Sequence, residues 1–103
     1  MKIIKKLSEM IECEIDDSKK YAKCALKYYS ENRTLAELFY TLSLEEMQHM
    51  NKLHKAVEGI IQDYRSNSGE PPANMLAVYE FLHERMIEKA SEVKNLQTMF
   101  KEQ

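Results

Sequence analysis

Glycine and proline are nearly missing from this chain, with two of each in 103 residues. The scarcity leaves few positions where a helix must stop or a tight turn can form. Three of the four sit in one stretch, "SNSGEPPAN", Ser66 to Asn74. There is no tryptophan, and cysteine occurs only at Cys13 and Cys24. On one helix, eleven residues separate these two by roughly 16 Å, beyond disulfide reach. They form no CxxC or CxxH pattern, so a structural zinc knuckle is not indicated. No apolar run approaches the roughly 18 residues of a membrane span. The first residues, "MKIIKKLSEMIECE", space their apolar positions by three and four and lack the continuous apolar core of a signal peptide. No basic block marks a nucleic-acid footprint. The expected setting is therefore cytoplasmic, with neither membrane nor nucleic acid as partner.

What remains is a soluble-type composition: 44% hydrophobic, 31% charged, formal net charge -2. At this length about 60–70% of the unfolded surface can be buried, enough for one small core and one domain spanning 1–103. "SNSGEPPAN" is the strong breaker, with Gly69 suited to a helix C-terminus and Pro71–Pro72 to the first turn of the next helix. "SENRT", Ser30 to Thr34, is a softer break. Thr34 followed by Glu37 reads as a capping box. Three helices follow, near 2–30, 34–66 and 72–101. No strand-like alternation competes with them, so the fold class is all-α, an antiparallel up-down-up arrangement.

Each helix carries an apolar stripe stepping by three and four, the spacing that aligns side chains on one face. The first runs Ile4, Leu7, Ile11, Glu14, Ser18, Tyr21, Ala25, Tyr28. The second runs Leu35, Phe39, Leu42, Glu46, His49, Leu53, Ala56, Ile60. The third runs Met75, Tyr79, Leu82, Met86, then Val93, Leu96 and Phe100. Glu14 interrupts the first stripe, and Glu46 with His49 the second. No Lys or Arg lies in the central part of either. Buried carboxylates without a cationic neighbour need a bound cation, a proton or water. A hairpin turning near Asn32 sets Glu14 level with Met50, beside His49, and Glu46 is one turn away on the same face. The three polar residues therefore converge at one depth. Two readings fit that layer: a metal site, or hydrogen-bonded polar residues that fix helix register.

The other candidates are weaker. Glu45 lies about 100° around the helix from Glu46 and reads as a solvated charge. His54 reads as a surface histidine. Glu80–His83 is a second Glu-x-x-His, but it lies beside its stripe and about six residues from the level of His49. The methionines are spread along the bundle as core filler, not clustered as copper ligands.

Glu14 together with "EEMQH", Glu45 to His49, resembles the ferritin-like superfamily, closest to its rubrerythrin and encapsulated-ferritin branch, over roughly residues 1–65. The resemblance implies Glu14 as a lone carboxylate ligand from the first helix, Glu46 as a bridging carboxylate and His49 as an imidazole ligand. A ferritin-like protomer carries four helices and two such sets; this chain has three helices and one. It lacks the four cysteines of a rubredoxin domain, and its end, "QTMFKEQ", does not look like an encapsulin-targeting tail. A homodimer, or a larger ring, pairing two hairpins into a four-helix core would supply the second set. The implied cofactor is iron, two ions per site shared across the dimer, with manganese or zinc possible. The implied chemistry is of ferroxidase or peroxide-reducing type, with no redox partner named by the sequence. The rival expectation is a non-catalytic helical assembly module that uses the polar layer for register.

Overall fold

A computed structural model describes residues 2–103. They form three helices: α1, Lys2–Tyr28; α2, Arg33–Ser68; and α3, Ala73–Lys101. The 36 residues of α2 extend about 54 Å at the helical rise, and the molecule is a rod of 55 × 19 × 18 Å. No helix among the described residues is long and apolar enough to cross a membrane.

α1 and α2 form an antiparallel hairpin, and α3 returns alongside α1. The ion pairs between α1 and α3 show a parallel arrangement by their near-constant separation of 73 to 77 residues. Glu12 binds Lys89 at 2.6 Å and Arg85 at 3.2 Å, and Lys19 binds Glu92 at 2.9 Å. The hydrogen bond and charge of Lys89 lower the Glu12 carboxyl, and Glu12 in turn raises Lys89. α3 packs mainly on α1 and reaches α2 at separate points: the edge-on Tyr40–Phe100 contact, Ser43–Gln97 and His54–His83.

The α1–α2 turn is organised differently from the capping-box expectation. Asn32, in extended backbone, accepts the Leu35 N–H at 3.1 Å, while its own N–H bonds to Tyr28 O. Asn is as strong an N-cap as Thr and sits where the chain leaves α1, so Thr34 and Glu37 fall inside α2, both exposed. Replacing Asn32 with Ala leaves the Leu35 N–H without its partner. The expected loss is about 1 kcal/mol, a fall in melting temperature of about 4–8 °C, with Asn32→Ser close to wild type; an unchanged Asn32→Ala melting curve would show that the cap contributes nothing. At the second link, Gly69 has φ 81°, a backbone region open to glycine. Pro72 is the residue before α3, so the helix starts one position later than expected.

The buried stripe is rotated from the expected one on α1 and α2. Ile4, Ile11, Ser18 and Ala25 are buried as expected, but Ser8, Ile15 and Ala22 take the places expected for Leu7, Glu14 and Tyr21. On α2 the buried residues are Ala36, Ser43, Val57 and Ile61. Leu35, Phe39, Leu42 and Leu53 are only half-buried, and Ala56 is exposed. Toward the α1–α2 turn the buried positions are small, Ser18, Ala22, Ala25, Ala36 and Ser43, with aromatic side chains at the edge, while Ile4, Ile11, Ile15, Val57 and Ile61 fill the seam toward the other end. The stacked Tyr21–Phe39 and Tyr28–Phe39 pairs, with centroids 6.3 and 6.0 Å apart, lie on that edge. The α3 stripe is as expected, with Met86 and Val93 buried and Tyr79, Leu82, Leu96 and Phe100 beside them.

Candidate metal centre

Glu14, Glu46 and His49 do come together. Each offers one ligand atom within a cluster whose atoms lie within 4.8 Å of one another. His49 Nδ1 is 3.5 Å from Glu14 Oε2 and 3.9 Å from Glu46 Oε2. One turn away on both helices, Ser18 and Ser43 set this register. Ser18 Oγ donates to Ser43 O at 2.7 Å and Ser43 Oγ donates to Ser18 O at 2.8 Å, so each hydroxyl satisfies the other helix's carbonyl. Gln97 of α3 donates to Ser43 Oγ at 2.9 Å. Both serines are fully buried. Only side chains this small let α1 and α2 close enough to place carboxylates from both helices against one imidazole.

The cluster sits at the edge of the interface, not inside it. The Glu46 side chain is 19% exposed, Glu14 26% and His49 52%. His49 thus lies farther out than its stripe position implied. With both carboxylates ionised, Glu14 Oε2 is buried and receives no hydrogen bond. Neither carboxylate forms an ion pair with Lys or Arg among the described residues. The Glu46 carboxyl is pushed up to about 7, first by sharing a hydrogen bond with Glu14, then by burial and by the Glu14 charge. A proton on Glu46 is the donor that Glu14 Oε2 otherwise lacks. A divalent cation would relieve the same repulsion, and the donor set of two carboxylates and one imidazole suits iron, manganese or zinc.

The remaining expectations divide. Glu45 is exposed, as expected of a solvated charge. Cys13 is exposed and Cys24 half-buried, both free. Met47, Met50 and Met86 pack in or against the core, as filler does. Glu80 is exposed, and His83 turns away from it toward His54. His54 is not a free surface histidine: its side chain is 25% exposed and bonded on both ring nitrogens. The Ser18–Ser43–Gln97 node was not foreseen in full either. Ser18 stood in the expected α1 stripe, but Ser43 lies beside Leu42 with no pattern to mark it.

Comparison with protein-family models, with curated proteins and with solved structures finds no match. The expected resemblance to ferritin-like proteins rests on Glu14 and the Glu45–His49 stretch of the sequence alone.

Proposed function

We propose that this chain is a ferritin-like di-metal carboxylate protein that works as a homo-oligomer, with iron as the first-ranked metal and manganese or zinc as alternatives. The observation that carries the reading is the convergence of Glu14, Glu46 and His49 around a buried carboxylate oxygen that has no donor once Glu46 is ionised. Register does not require these residues, because the Ser18–Ser43–Gln97 node already fixes it one turn away. That weighs against a purely structural polar layer.

One copy supplies three donors, half of a two-metal set. A second α1–α2 hairpin across a two-fold axis would duplicate them and cover the half-buried Tyr21, Phe39 and Leu42 edge, with the exposed Leu38 and Met10 available at the rim. Bound there, iron would supply one-electron redox chemistry toward dioxygen or peroxide. The protein's own part is to bind and to hold protons. Glu14 and Glu46 offset the metal charge, His49 gives a neutral nitrogen donor, and the Glu46 proton leaves as metal enters. Ferroxidase or peroxide-reducing chemistry is the class proposed.

The test is metal content by mass spectrometry after anaerobic Fe(II) loading, with sedimentation equilibrium on the same sample. The expected result is about one iron per chain on a dimer or larger assembly. A folded monomer that retains iron would remove the inter-protomer arrangement. A protein that takes up no iron at all would leave the non-catalytic assembly module standing instead.

A further inference from the structure

The second cluster of imidazoles lies on the other side of α2. His54 of α2 and His83 of α3 face each other with Nε2 atoms 3.1 Å apart, in rings inclined by only 14°. Glu58, one turn along α2, lies with Oε1 3.1 Å from His54 Nδ1. Tyr79 stacks on the His83 ring, 5.7 Å between centroids and 5° between planes. Both rings are thus held by a partner, and neither Nε2 is committed to a backbone group.

The separation of the rings says more than the bond length. An imidazole nitrogen lies about 1.1 Å from its ring centroid, so a straight N–H···N bond of this length would set the centroids about 5.3 Å apart. The observed centroids are 4.9 Å apart. The two nitrogens are therefore offset from a straight N–H···N line, as they are in displaced parallel rings or in rings whose Nε2 axes converge on a shared point. Two imidazoles on one zinc-class ion, each at about 2.0–2.1 Å, place their nitrogens roughly 3.1–3.4 Å apart and their centroids about 5 Å apart. Both distances are compatible with a shared ion as well as with an offset hydrogen bond. A proton on His54 Nδ1, facing the Glu58 carboxylate, would leave the Nε2 lone pair turned toward His83, the arrangement by which carboxylates orient metal-binding histidines.

The nitrogens also open onto space. A pocket of about 190 Å³, lined by Met50, Asn51, His54, His83, Met86 and Ile87, adjoins the pair. It contains no Lys or Arg to oppose a cation, and it has room for the waters that complete a four-coordinate ion. Burial, and after it the negative charge of Glu58, raises the Tyr79 hydroxyl, so that charge acts on the same region.

We propose that His54 and His83 form a second metal site, separate from Glu14, Glu46 and His49, that takes a divalent ion of the zinc class through their Nε2 atoms and ties α2 to α3. Its nitrogen donor pair differs from the carboxylate-rich first cluster: zinc, copper, iron and nickel suit imidazole, whereas manganese prefers oxygen. The site does not depend on the proposed iron chemistry.

The experiment is titration of the full chain with Zn(II) at pH 7.5 by calorimetry, alongside nitrogen NMR of the histidine rings. In wild type, Zn(II) is expected to shift the Nε2 resonances of both His54 and His83. His54→Gln and His83→Gln should each weaken one zinc-binding event by roughly tenfold or more, while His49→Gln leaves that event in place. If either His54→Gln or His83→Gln binds every zinc ion as wild type does, the site does not exist. The wild-type NMR measurement stands even if a variant folds poorly: ring shifts confined to His49, or no shift at all, overturn the proposal.

Discussion

Glu46→Leu is expected to raise the melting temperature of the metal-free protein by about 5–15 °C at pH 8 and to abolish iron binding, opposite effects from one substitution. The first effect follows from like charge. Glu46 is mostly buried beside Glu14, and its carboxyl titrates at about 7, above the ordinary 4.5. A carboxyl raised in the folded state favours the protonated native form, so its contribution is fully present below about pH 4.5 and is lost as pH rises through about 7. Above that, both carboxylates are ionised and the native state carries the full repulsion. Leucine removes it and adds apolar burial, together on the order of 1–3 kcal/mol. The difference between mutant and wild type should therefore be greatest at pH 8 and shrink toward pH 5. Taking the difference separates Glu46 from Glu12 and Glu92, whose lowered carboxyls run the other way and weaken the fold in acid. The second effect follows from lost ligation: Fe(II) under nitrogen should stabilise wild type and leave Glu46→Leu unchanged, since binding to the native state adds to folding free energy. Melting curves with EDTA and with Fe(II) at three pH values decide both. Wild type that ignores Fe(II) would remove the metal reading of the cluster, and a pH-independent difference would remove the carboxyl-pair account.

Ser43→Leu should destabilise by about 3–5 kcal/mol, a large part of the roughly 5–15 kcal/mol expected for a chain of this size. Ser43 is fully buried where α1, α2 and α3 meet. Leucine there forces the helices apart, an overpacking penalty of about 1–3 kcal/mol. It also leaves Ser18 O without its donor and Gln97 without its acceptor, about 1 kcal/mol or more for each group that stays buried. Urea unfolding should show a much lower midpoint. Because the same contact sets Glu14 level with His49, whatever protein remains folded should bind iron weakly. Ser43→Ala keeps the close approach and loses only the hydrogen bonds, so it should fall by about 1–2 kcal/mol. Leucine tolerated as well as alanine would mean that the helices are not held by this node.

The helices and their order could be read from the chain, because they depend on local physics. Gly69 with Pro71–Pro72 marks one stop, the polar Ser30–Thr34 stretch marks the other, and stripes at three and four leave no other regular structure. The meeting of Glu14, Glu46 and His49 was also legible, since a short turn near Asn32 fixes the register of an antiparallel hairpin from residue numbers alone. The same reasoning applied to the Gly69 turn sets His54 nearly level with His83, yet periodicity marked neither as buried, and only the packed helices show their rings engaged. The choice of Asn32 over Thr34 as cap was open for a related reason: two adequate capping residues lay two positions apart, and the path of the chain out of α1 selected one.

What the sequence by itself determined, then, is helical architecture, hairpin register and the identity of one polar layer, all functions of spacing along a single helix or across a short turn. What only tertiary structure decided is how each helix is rotated about its axis. Sequence patterns weight large apolar residues, and those placed the seam on Tyr21, Phe39 and Leu42. Close packing near the turn instead favours small side chains on the line of contact, so Ala22, Ala36 and Ser43 went inside beside the expected Ser18 and Ala25. That rotation put the carboxylates at the rim of the interface, with His49 half-exposed and one buried Glu14 oxygen lacking a donor. It follows from the fit of three helices at once, which no single stripe contains.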